Sequence, residues 1–466
     1  MRETGAVSGL PRVFSMTFYW KKFLYCIPPA LIAVPLGARL SVGLRGTALL
    51  VVLFFCIALW TTGAVPKWLT SLFLLASFSM VSTVPIKMIF QFPLSDNFVM
   101  ILLSFLFSQG LQNSQIFHTL IPVLQKKIRG TLSLAFSIFL CSLAMIWFVP
   151  QPFARIIIIL QLYQTLFKSW NLSEKTCQVL CFNIINSSIF INCAFLRGDI
   201  ILNNALVNIS GIPITESIWM AWMLLPTLVF YIAGMALFYQ VFRTDLKETA
   251  KLTANGPIPD FSSDRGFHFP AALICGAAVL LWLTEPWTGI SATGTILAAD
   301  IIMALFGYLA LKDLTCIDFE LMIFLSAAFS IGPVMKESGI APKLFAILLP
   351  LLPKTLGAEF MITLIFISII LHSMLGSCVT ALSVMIPSIT LLCQDKISVL
   401  PIMFLSFLSI TCQYLLPLHN VSVMVGAGKG GYSEHTVLRW GVALTCYILL
   451  ALPLFYSGYW LLTGRL

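Results

Sequence analysis

Two arginines and two histidines stand inside stretches of sequence that are otherwise apolar. Arg155 follows Pro150-Gln-Pro-Phe-Ala, and Arg197 lies in Phe195-Leu-Arg-Gly-Asp199. His372 opens His372-Ser-Met-Leu-Gly-Ser-Cys378, and His419 sits in Pro417-Leu-His-Asn420. An ionisable side chain at membrane depth is costly and marks a functional site by default. Arginine suits a carboxylate because its planar guanidinium offers paired donors. The competing reading for Arg155 is snorkelling or a scaffold pair, and for Arg197 an ion pair with Asp199. The histidines suit a proton carrier, since imidazole titrates near neutrality, or are simply hydrogen-bonded. Asn183, Asn186, Asn192, Gln413 and Asn420 are either ligands or polar glue between helices, and Asp300 is either functional or a helix-to-helix hydrogen bond.

The elements that position these residues follow from composition. Of 466 residues, 59% are hydrophobic and 10% charged, against about 25% charged in an ordinary soluble domain. Apolar runs recur from residue 23 to residue 463, with room for roughly a dozen crossings at ~20 residues each. Helices are the default because lipid satisfies no backbone group, and the alternating segments of a barrel are absent. The basic stretch before the first run reads as the flank of an uncleaved helix rather than a signal peptide. The formal charge of +9 reflects loop lysines and arginines that stay inside and implies no nucleic-acid partner. Twelve cysteines scattered through apolar runs imply neither a disulfide framework nor a zinc site. Gly426 to Gly431 lacks phosphate-loop spacing. With no catalytic constellation visible, the chain is expected not to be an enzyme.

Two runs are too long for one span and are interrupted midway. The run 131–165 breaks at Pro150 to Arg155, and the run 358–393 breaks at His372 to Cys378. Each reads as a re-entrant hairpin, allowed only where protein or a water-filled cavity covers the turn. The run after each hairpin is broken too, at Asn192 to Asp199 and at Pro417 to Asn420. Interrupted segments at matching positions of two halves point to a transporter site at mid-membrane. The expected fold is therefore an all-α polytopic membrane protein, about 11 transmembrane helices plus two re-entrant hairpins in two inverted repeats. Residues 1–45 form an N-terminal segment and first helix, 46–242 the first repeat, 243–268 a cytoplasmic linker and 269–466 the second repeat. Loop charges favour an N-terminus on the inside, with Arg39 and Arg45 pulling against it.

The residues then resemble the divalent anion:sodium symporter family, closest to its citrate, tartrate and oxoglutarate/malate-type translocators. Four stretches carry the resemblance: Asp96 to Asn113, Asn183 to Leu225, Trp282 to Gly339-Ile, and Gly430-Gly-Tyr with Arg439-Trp-Gly-Val. The resemblance spans nearly the whole chain from about residue 45. The family's Ser-Asn-Thr tripeptide at each hairpin tip, which contacts substrate carboxylates and sodium, falls here on Gln151-Pro152-Phe153 and Ser377-Cys378-Val379. Only Ser377 is retained, so it is the one candidate sodium ligand.

Half-helix N-termini supply donors and positive potential without a charged side chain, here near 153–155 and 378–380. The expected substrate-binding residues are Gln151, Phe153, Arg155, Asn192, Arg197, Ser377, Cys378, Thr380, His419 and Asn420. The expected function is secondary active transport of small organic anions, di- or tricarboxylates, across a plasma membrane (the inner membrane of a bacterium) by alternating access, as exchanger or cation symporter. Sulfate or another oxyanion is the rival substrate, and a non-transporting sensor or binding protein the rival class. No resident cofactor is expected; sodium and proton coupling both stay open. The resemblance further implies a homodimer and an elevator-like motion.

Overall fold

A computed structural model describes residues 20–114, 117–148, 152–199, 201–210, 212–252, 268–284, 288–353, 357–393 and 399–465. Among them every regular element is a helix, as expected where each backbone group must be satisfied within its own segment. The chain opens with α1 (Ile27–Arg39), α2 (Gly43–Thr62) and α3 (Lys67–Val81). There follow α4 (Asp96–Asn113), the short α5 (Phe117–Lys127), α6 (Thr131–Phe148), α7 (Pro152–Ser169), α8 (Glu174–Asn192), α9 (Leu202–Ser210) and α10 (Glu216–Val241). Two helices, α11 (His268–Leu283) and α12 (Ala292–Leu305), lead into a second series. It comprises α13 (Phe319–Glu337), the short α14 (Ile340–Leu348), α15 (Ala358–Leu375), α16 (Cys378–Cys393), α17 (Val399–Thr411), α18 (Val421–Gly430) and α19 (Glu434–Leu462).

The order long helix, short helix, hairpin, broken helix, long helix thus occurs twice. Both long apolar runs are hairpins, α6–α7 and α15–α16, and both broken runs are split, α8 from α9 and α17 from α18. Helices α5 and α14 were not anticipated. Each precedes a hairpin, and Lys126 and Lys127 close α5 while Pro342 and Lys343 interrupt the apolar pattern of α14.

Local chemistry sets the boundaries. Ser95, Ser173, Thr215 and Ser433 cap α4, α8, α10 and α19 by accepting a backbone N–H three residues on, the preferred N-cap chemistry. Helix α15 stops at Gly376, whose φ of 63° donates its N–H to the His372 carbonyl at 2.8 Å, a left-handed turn that glycine adopts without strain.

Among the described residues, five helices are long and apolar enough to cross a membrane by length and composition, and six further apolar helices are shorter. The outward faces stay apolar, with Leu44, Met80, Leu132 and Leu462 each at least 86% exposed. Such surface is tolerated in hydrocarbon and not in water. Inside, the two series interlock. Helix α18 packs on α7 and α8, α9 packs on α16, and α17 packs on both α15 and α16.

The first third of the segment read as a linker is docked against the helices. A short 3-10 turn spans Lys247–Lys251, and buried Thr249 shares a hydrogen bond with Thr131 at 2.8 Å. Asp245 pairs with Lys175 at 2.6 Å and Arg439 at 2.9 Å, and Glu248 accepts the Ser173 N–H. Burial pushes the Asp245 carboxyl up, but those two cations outweigh it and hold it below the usual carboxylate range.

Candidate anion site between the hairpin tips and the helix breaks

The two breaks are built alike. Cys193 follows α8 and Cys412 follows α17, and their sulfurs lie 3.6 Å apart. A 3-10 turn comes next in each, Leu196–Gly198 in the first and Pro417–His419 in the second. The following residue then starts the second helix. Asp199 Oδ1 accepts the N–H groups of Ile201 and Leu202, both at 3.0 Å. Asn420 Oδ1 accepts those of Ser422 and Val423 at 2.9 and 3.4 Å.

An unwound segment at this depth must find partners for its freed carbonyls. In the first break Asn203 Nδ2 serves the carbonyls of Asn192, Phe195 and Leu196, at 2.8–3.1 Å. Trp219 donates to Cys193 at 2.9 Å, and Arg155 Nη2 donates to Gly198. In the second break Asn420 Nδ2 donates to Thr411 at 3.2 Å. His372 Nε2 lies 3.0 Å from the His419 carbonyl, and because a carbonyl only accepts, that nitrogen carries the hydrogen. His419 Nδ1 accepts the Leu415 N–H at 3.2 Å, so this ring is neutral with its hydrogen on Nε2.

The second hairpin tip, Gly376-Ser377, meets the second break directly. Cys378 Sγ lies 3.4 Å from His372 Nε2 and 3.4 Å from the His419 carbonyl. Ser377 Oγ accepts from Thr380 N and Thr380 Oγ1 at 3.4 and 3.2 Å. Helix α13 supports this tip at Gly332, where a Cβ would overlap Thr380 Oγ1.

The second tip, the start of α7, both breaks and α13 converge on one small cavity of about 40 Å³. Phe153 comes from the first hairpin, Asp199, Ile201 and Leu202 from the first break, and Ala328 and Phe329 from α13. Gly376, Ser377, Cys378 and Val379 come from the second tip, and Leu418, His419, Asn420, Val421, Ser422 and Met424 from the second break and α18. Met424 also borders a larger vestibule of about 360 Å³, which Lys67, Asp318, Glu320 and Phe324 help to line. Lys67 also pairs with Glu434 at 2.6 Å.

Of the residues singled out by sequence, Phe153, Ser377, Cys378, His419 and Asn420 line the cavity. Thr380 and Arg155 are buried just behind it, Arg155 at 3% exposure and in the field of Asp199. Asn192 lines a second, smaller pocket, with Asp199 and Asn420. Gln151 lies outside the described residues. Arg197 is not brought to the cavity. Its side chain is 48% exposed, 3.8 Å from Glu216 and stacked over Trp147 at 4.8 Å, and the anticipated partner Asp199 instead caps α9.

The remaining polar candidates act mainly as glue. Asn186 Oδ1 accepts from Tyr414 Oη and from Trp440 Nε1 at 2.6 Å; Asn183 meets Tyr239 on α10; Gln413 meets Thr445 on α19. Asp300 departs from that pattern, since neither buried oxygen has a hydrogen-bond partner among the described residues. Sequence reasoning missed Asp199 as a wall of the cavity, although a carboxylate directly after the Gly198 break is a recognisable cap signal. Phe329 and Ala328 gave no local signal, because only the packing of α13 brings them there.

A hairpin-and-break core among apolar helices of spanning length defines a polytopic membrane protein. A family model described as the sodium:sulfate symporter transmembrane region matches residues 17–466. The chain belongs to that family, a family of anion symporters of the divalent anion:sodium type. A search of curated proteins finds no match.

Proposed function

We propose that this chain is a secondary carrier of small organic anions, di- or tricarboxylates, working by alternating access. The observation that carries this reading is the cavity at which the second hairpin tip, Phe153 of the first hairpin and two helix breaks meet. A dicarboxylate has carboxylates for the polar groups of Ser377, Asn420 and Ser422, and a carbon chain for Phe153, Phe329, Val379 and Leu418. Sulfate has no carbon to place against those walls, which favours an organic anion over an oxyanion. Polar groups convergent on an apolar pocket are the usual composition of a small-molecule site. The vestibule bordered by Met424 supplies a path from one side of the membrane, and loop charge supports the inside. The element order supports two inverted repeats, and the family resemblance supports a homodimer, an elevator-like motion and a plasma-membrane location.

Counterflow of labelled succinate, citrate and sulfate into proteoliposomes loaded with the same unlabelled anion tests the proposal. Succinate or citrate exchanges above protein-free vesicles and sulfate does not. Exchange of sulfate alone would overturn the substrate class, and binding without flux of any anion would reassign the chain as a binding protein.

A further inference from the structure

A hard cation such as sodium binds where several oxygens are free to converge on it. Buried carbonyls of unwound segments are the natural source of such oxygens in a membrane. Here several of those carbonyls, the closing one of each 3-10 turn among them, already have donors from the chain itself. The last carbonyl of the first 3-10 turn, Gly198, takes the Arg155 guanidinium, and the last carbonyl of the second, His419, takes His372 Nε2. The two contacts are equivalent: in each, a hairpin side chain closes the same carbonyl of the break beside it.

The hairpins offer little else to a metal ion. Pro152, Phe153 and Ala154 have no side-chain oxygen, nor do Cys378 and Val379. The retained Ser377 hydroxyl is taken up by Thr380 within its own turn. At the first break the Asp199 carboxylate on the cavity wall already has the buried Arg155 guanidinium as its countercharge, and a second cation would also meet that positive charge. Like charges at short range in a low-dielectric interior repel strongly. The donor set therefore does not fit sodium, in contrast to the coupling that the family name describes.

We propose that the Arg155 guanidinium and the His372 Nε2–H take the carbonyls that coupling cations would otherwise use, and that the protein neither binds nor requires sodium. The flux part of this statement rests on the carrier reading; the binding part does not. Two measurements on the purified full chain separate them. The first is the melting temperature in detergent, with sodium chloride exchanged for choline chloride at constant ionic strength. The second is succinate counterflow in the same two salts.

The wild-type chain melts at the same temperature in both, and its exchange rate is unchanged. A melting temperature raised by sodium over choline, or exchange lost in choline, would overturn the proposal. Absence of flux in either salt would sink the carrier reading alone, and the melting comparison would still decide sodium binding. Arg155→Ser uncovers the Gly198 carbonyl and removes the charge, so this variant should become sodium-responsive in melting, whereas Arg155→Lys should not. A folded Arg155→Ser protein indifferent to sodium would contradict the role given to the guanidinium. If that variant fails to fold, the wild-type comparison decides alone.

Discussion

At the scale of single residues, polar side chains in this protein do two separable jobs, and Asn186 shows the structural one. Its carbonyl oxygen accepts from Tyr414, in the second break, and from Trp440, in α19. One amide on α8 thereby ties the first broken helix to the second and to the closing helix. Asn186→Ala strands both donors in a fully buried position, each at a cost of about 1–3 kcal/mol. The melting temperature of the variant should fall clearly below that of wild type in detergent; an unchanged value would show that Tyr414 and Trp440 find other acceptors. Asn420 does the other job, since it caps α18 and also lines the cavity. The two roles were not separable by residue type, because an asparagine in an apolar run looks the same in either.

At the scale of elements, the tip of α15–α16 is held in place by a close approach to α13. Gly332 makes this approach, with Thr380 Oγ1 where its Cβ would be. Gly332→Val should push the tip off α13, at about 1–3 kcal/mol of overpacking, and lower succinate exchange. Gly276→Ala on α11 is the control, because nothing stands within 4 Å of the added Cβ. Equal exchange by both variants would remove α13 from the site. The hairpins and breaks themselves were legible in sequence: runs too long for one span, each carrying a Pro or Gly interruption, have few other readings in a bilayer. Arg197 was misplaced because its neighbours in sequence are apolar while its surroundings in space, Glu216 and Trp147, lie at an exposed edge. The wall formed by Phe329 was illegible because it depends on how α13 packs, and periodicity is silent about that.

At the scale of the whole molecule, the two series of helices contribute their broken segments to each other's surroundings. Helix α18 of the second packs on α7 and α8 of the first, and α9 of the first packs on α16 of the second. The cavity accordingly has walls from both series. Asp245, held by Lys175 and Arg439, fastens the segment after α10 to α8 and α19, so the two series are also joined at their charged end. Transport by this core needs an anion seated at that cavity, and Cys378 on its wall reports the seat directly. Alkylation of the wild-type protein by a small thiol reagent, read cysteine by cysteine by mass spectrometry, compares Cys378 with the exposed Cys446. Saturating succinate or citrate should slow modification of Cys378 and leave Cys446 unchanged. Modification of Cys378 at the same rate with and without an anion that the protein exchanges would contradict the account.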